Sequence, residues 1–152
     1  MDDIITTLFN GLTYGGDVKL SVLNYFLLAV AVMPFFLSAM KSISKRWAIV
    51  FSIAFLIQSL FWFVLKAQGI SIVWNALAGV LAVVLFRYRL SMLMKTKWMI
   101  LASITVVMLA DVYFGLMFPP ITSIAHVAAF LLGMILYLLV GIKKNRKLLL
   151  SS

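Results

Sequence analysis

The chain of 152 residues contains no cysteine, no glutamate and a single histidine, His126. Without cysteine there are no disulfides, no thiol catalysis and no thiolate metal sites, and the compartment stays open. Four acidic residues and one histidine are too few donors for a multi-ligand metal centre, so neither a metal nor any other cofactor is expected. Charge of either sign is scarce at 11% of residues, and what there is leans basic, for a net charge of +9. In a soluble chain that excess would raise nucleic-acid binding. Here the basic residues sit in short segments between apolar runs, where membrane topology and anionic headgroups account for them, and no nucleic-acid partner is expected.

What is present is overwhelmingly apolar. Hydrophobic residues make up 65% of the chain, and the mean hydropathy is +1.17. A soluble domain of this size cannot hide so much apolar surface, whereas a lipid bilayer removes the need. The expected fold is an all-α integral membrane bundle. Five apolar runs reach the roughly 17–25 residues that a helix needs to cross the hydrocarbon layer: Val22–Met40, Trp47–Leu65, Ile70–Phe86, Trp98–Phe118 and Ile121–Ile142. Each is read as a helix, because an open strand in lipid leaves its backbone unpaired. Pro34 is expected to kink the first span, and Pro119-Pro120 to make the last two spans antiparallel neighbours.

Charge sets the orientation. Lys41, Lys45 and Arg46 follow the first span. Arg87, Arg89, Lys95 and Lys97 follow the third, and Lys143, Lys144, Arg146 and Lys147 follow the fifth. These hold eleven of the thirteen basic residues, so the positive-inside rule places them in the cytoplasm, with the N-terminus outside and the C-terminus inside. Residues 1–21 form an outer segment in which Ile4, Ile5, Leu8, Phe9 and Leu12 recur at helical spacing. It either lies flat on the outer leaflet or frays. Residues 22–142 form the five-helix domain and 143–152 a basic cytoplasmic tail. No cleavable leader is expected, because no basic stretch precedes the first span.

Polar residues inside apolar helices are costly, and each requires an account. Gln58 is expected to make an interhelical hydrogen bond, Asn24 to serve a helix end, and Asp111 to pair with a nearby donor. Ser71 and His126 stand out because both fall within one to two turns of the outer end of their spans. Ala125, Ala129 and Gly133 lie beside the His126 face, while Asn75, Gly79 and Ala82 continue the Ser71 face. Small residues let two helices approach closely in lipid, as a serine must to reach an imidazole. A base activates a serine hydroxyl, and a neutral imidazole is that base. The structural alternatives are a Ser71 N-cap after Gly69 and a His126 hydrogen bond between helices, and spacing by itself favours them.

The motifs resemble a known family. Ala125-His126-Val-Ala-Ala129-Phe-Leu-Leu-Gly133 is similar to the AHxxGxxxG motif in the last core helix of rhomboid intramembrane serine proteases. Gly69-Ile70-Ser71-Ile72 is similar to their GxSx nucleophile motif, two helices earlier, and Gly79 sits where the serine helix often carries a small residue. Asp111–Gly115 loosely resembles the end of the helix between. The resemblance covers roughly residues 22–142 and implies a rhomboid-like core lacking its first helix, in a bacterial inner membrane. It also implies Ser71 as nucleophile, His126 as base, the Ser71 N–H and Asn24 as oxyanion donors, and a single-span membrane protein as substrate, cut near its outer boundary. This sequence departs from the family pattern at five places. Leu20 stands where a histidine partners Asn24, Ile72 follows the serine in place of glycine, Ala129 replaces a glycine, Asn75 replaces an aromatic that stacks on the histidine, and the loop before the second core helix, with its Trp-Arg pair, is not evident. These departures carry a second reading, a catalytically inactive rhomboid-like or unrelated five-span module that binds or scaffolds another membrane protein's transmembrane segment.

Overall fold

The computed structural model describes residues 17–37, 47–65, 70–90 and 92–149. The outer segment before residue 17 lies outside them, as do Lys41, Lys45, Arg46, Lys66 and Gly69. Five helices follow in order: α1 (Val18–Leu37), α2 (Trp47–Leu65), α3 (Ser71–Tyr88), α4 (Met94–Met117) and α5 (Pro120–Leu149), with no strand among the described residues. Helices α1, α3, α4 and the Pro120–Leu139 part of α5 are long and apolar enough to cross a bilayer, and α2 adds the shorter apolar stretch Ile49–Phe61. The chain is therefore an all-helical, multi-pass membrane protein.

Helix ends follow local chemistry more closely than hydropathy. α1 begins at Val18, ahead of its apolar run, because Asp17 caps it: the Leu20 N–H donates to Asp17 Oδ1 at 3.0 Å. α5 continues past Ile142 to Leu149, since Lys, Arg and Leu are good helix formers and nothing there breaks the helix. Between α4 and α5 the Phe118 N–H donates back to Phe114 O at 2.9 Å, and Phe118 is extended ahead of Pro119. Pro120 then opens α5 at the first helical position, where its missing N–H costs nothing. The turn makes α4 and α5 antiparallel, so α3 and α5 run the same way. The end of the bundle where α3 starts and α4 ends is called the Pro119 end below.

α3 is the axis of the molecule. Its residues from Ser71 to Leu81 are all buried, and every other helix packs on it. Around it the order of neighbours is α1, α4, α5, α2. The α3–α5 contact is the most extensive in the bundle. At its centre a Cβ on Gly79 would fall 2.1 Å from Phe130 O, and a Cβ on Gly133 would fall 2.2 Å from Ala76 O. Each glycine therefore faces the carbonyl three residues before the other. The two backbones touch with no side chain between them, the close contact that van der Waals attraction in lipid rewards.

Pro34 lies inside α1 and is buried. Having no N–H, it leaves Val30 O without its helical donor. The Ser103 hydroxyl on α4 donates to that carbonyl at 2.8 Å, so the proline's defect becomes an interhelical bond. Gln58 departs from expectation. Its Oε1 is buried without a hydrogen-bond partner among the described residues, where an interhelical bond was expected.

Candidate functional site

A connected set of polar and aromatic side chains joins α1, α3, α4 and α5 near the Pro119 end. Asn75 lies four residues into α3, Asp111 six residues before the end of α4, and His126 six residues into α5. At 1.5 Å per residue, all three sit about 6–9 Å below their helix ends. Hydropathy alone would leave this depth apolar.

His126 is 3% exposed and held from two sides. Its Nδ1 lies 2.8 Å from Asp111 Oδ1. The pair lacks the alignment of a hydrogen bond, so Nδ1 has a close polar neighbour but no hydrogen-bond partner. An aligned bond needs the ring to turn about its terminal torsion, which is broad in histidine. The imidazole also meets the rings of Trp74, at a centroid distance of 5.5 Å, and Phe114, at 6.4 Å and nearly edge-on. Asp111 takes a second contact at the same oxygen, from Asn75 Nδ2 at 3.1 Å. Asn75 Nδ2 also donates to Ser71 O at 3.2 Å, while its own Oδ1 is sealed without a partner.

Trp74 extends the network to α1. Its Nε1–H donates to Asn24 Oδ1 at 3.1 Å, and Asn24 Nδ2 donates to Leu20 O at 3.0 Å. Asn24 is thus a buried interhelical partner, where a helix-end role was expected. Trp74 is the residue that sequence reasoning missed. The family pattern places a stacking aromatic at the position of Asn75, and here the ring that meets the histidine stands one residue earlier and is tilted to it by 57°. A fully buried tryptophan needs an acceptor for its N–H, and the buried Asn24 was the available signal.

Ser71 is buried at 8% exposure and is the first residue of α3. The N-cap position belongs to Ile70, so Ser71 is not the cap of α3. It makes no hydrogen bond to His126. Trp74 and Asn75 follow it by three and four residues, and thus share its face one turn deeper. Ser71 therefore stands above the residues that touch His126 and Asp111. Its N–H belongs to the first turn, where α3 itself offers no acceptor. Of the small residues on α5, Ala125 and Ala129 are buried, and Gly133 meets α3 at Ala76.

A histidine flanked by a carboxylate and an indole, one turn below a serine and a helix N-terminus, contains the groups that acyl transfer uses. The chain matches no family model, no curated protein and no solved structure.

Proposed function

We propose that this chain is a rhomboid-like intramembrane serine hydrolase of a bacterial inner membrane, with its N-terminus outside. It cleaves a single-span membrane protein near the outer boundary. The observation that carries the reading is the placement of Ser71 and His126 on α3 and α5, the two helices in closest contact, both at the Pro119 end. In the reaction the Ser71 hydroxyl passes its proton to His126 Nε2 as Oγ bonds to the scissile carbonyl carbon. The Ser71 N–H at the start of α3, with an N–H of Asn24, supports the developing oxyanion. The C–N bond breaks, the leaving nitrogen takes the proton from Nε2, and water hydrolyses the acyl-Ser71 ester to a free carboxylate and a restored hydroxyl. Both side chains are buried, so a substrate strand must displace neighbours and bring Ser71 down to the imidazole.

The second reading is a non-catalytic module that binds another protein's transmembrane segment. It is favoured by the missing Ser71–His126 hydrogen bond and by the bulky Ile72 after the serine. A fluorophosphonate probe separates the two. Covalent labelling of the purified protein, abolished in Ser71→Ala and in His126→Ala, is the expected outcome. Absence of labelling in the unmodified protein removes the hydrolase, and co-purification of a stoichiometric membrane partner then identifies the binding module.

A further inference from the structure

We propose that Asp111 is a positioning residue for His126, and that Asn75 holds Asp111 for that purpose, making the pair Ser71–His126 a three-membered Ser–His–Asp arrangement. The catalytic consequence rests on the hydrolase reading, whereas the orientation of the imidazole does not. Three observations meet here. The carboxylate oxygen is 2.8 Å from Nδ1, the ring nitrogen that a serine base does not use. The same oxygen is tied to α3 through Asn75 Nδ2 at 3.1 Å, so it is fixed relative to the helix that carries Ser71. The Trp74 ring, itself anchored on Asn24, blocks the imidazole from one side.

An imidazole has two neutral tautomers, and only the one protonated on Nδ1 leaves a lone pair on Nε2. A carboxylate accepts hydrogen bonds and cannot donate them. Asp111 beside Nδ1 therefore selects the Nδ1–H form and leaves Nε2 as the acceptor for the serine proton. No proton moves to Asp111: it orients the ring, then faces the positive charge when Nε2 is protonated. The Asp111 side chain is 24% exposed, so the carboxylate is only partly enclosed. Placing an uncompensated carboxylate at this depth is costly, and its two partners are the compensation.

The sequence makes the test clean, since His126 is the only histidine. Protein labelled with nitrogen-15 histidine gives one imidazole, whose two nitrogen shifts report the tautomer. In the unmodified protein at neutral pH, in lipid nanodiscs, Nδ1 is expected to be protonated and Nε2 bare. An Nε2–H tautomer, or a ring protonated on both nitrogens, overturns the proposal. Asp111→Leu removes the acceptor and is expected to release the preference for Nδ1–H, so that an Nε2–H population appears. An unchanged tautomer in Asp111→Leu also overturns it. If the unmodified protein reacts with the fluorophosphonate, Asp111→Leu should slow labelling by up to about 10⁴-fold, the loss that follows when the imidazole of a Ser–His–Asp site takes the wrong tautomer. If it does not react but the tautomer follows Asp111, the hydrolase reading fails and the orienting role stands.

Discussion

Trp74 connects three helices through one side chain: its N–H goes to Asn24 on α1, its ring to His126 on α5, and its backbone belongs to α3. Replacing it with phenylalanine keeps a ring but leaves Asn24 Oδ1 buried without a donor. In bilayers such bonds couple by about 0.6 kcal/mol on average and up to about 1.7 kcal/mol. A double-mutant cycle of Trp74→Phe and Asn24→Leu, read by unfolding in detergent, should return a coupling in that range. Additive losses would show that the bond contributes nothing of its own. At this scale the sequence was partly legible. Ser71, Asn75, Asp111 and His126 stand out because polar atoms in apolar helices demand partners. Which atoms pair was not legible, because the rotation of each helix decides it and the polar spacing alone leaves that rotation open. Trp74 escaped notice because a tryptophan in a membrane span looks apolar until its N–H is buried.

The element scale is governed by α3 and α5. A Cβ at Gly79 or Gly133 meets a backbone carbonyl at 2.1–2.2 Å, and backbone cannot step aside as a side chain can. Gly79→Ala and Gly133→Ala should each destabilise the bundle by about 1–3 kcal/mol, the usual cost of overpacking. Gly115→Ala is the control, because its Cβ would meet only the Ser123 hydroxyl at 2.9 Å, which can rotate away. Thermal unfolding in one detergent should lower the midpoint for the first two and leave the third near the parent. An equal drop at all three would mean that the α3–α5 approach is not special. Here the sequence was most informative. The apolar runs located all five helices, and α2 coincides with its expected span, Trp47–Leu65. The ends of α1 and α5 differed because a cap at Asp17 and helix-forming basic residues after Ile142 act independently of hydropathy.

For the whole molecule, the lack of cysteine becomes an experimental tool. Leu90, in the turn after α3, is 92% exposed, and Ile121, at the start of α5, is 57% exposed. The proposed orientation places Ile121→Cys outside and Leu90→Cys in the cytoplasm. A membrane-impermeant maleimide should label the first in intact cells and the second only after permeabilisation, and the reverse pattern would invert the topology. The arrangement of four helices around α3 was beyond the sequence, since hydropathy counts spans without saying which one is surrounded. The bond from Ser103 to Val30 O adds a dimension of time, because its partners are separated by 73 residues. At roughly 5–20 residues per second, the ribosome delivers Ser103 about 4–15 s after Val30. The nascent first helix thus reaches the insertion machinery with a bare carbonyl, whose donor has not yet been synthesised. Until that donor arrives, lipid alone is a poor resting place for this helix, and a chaperone or the insertion channel itself is the favoured host.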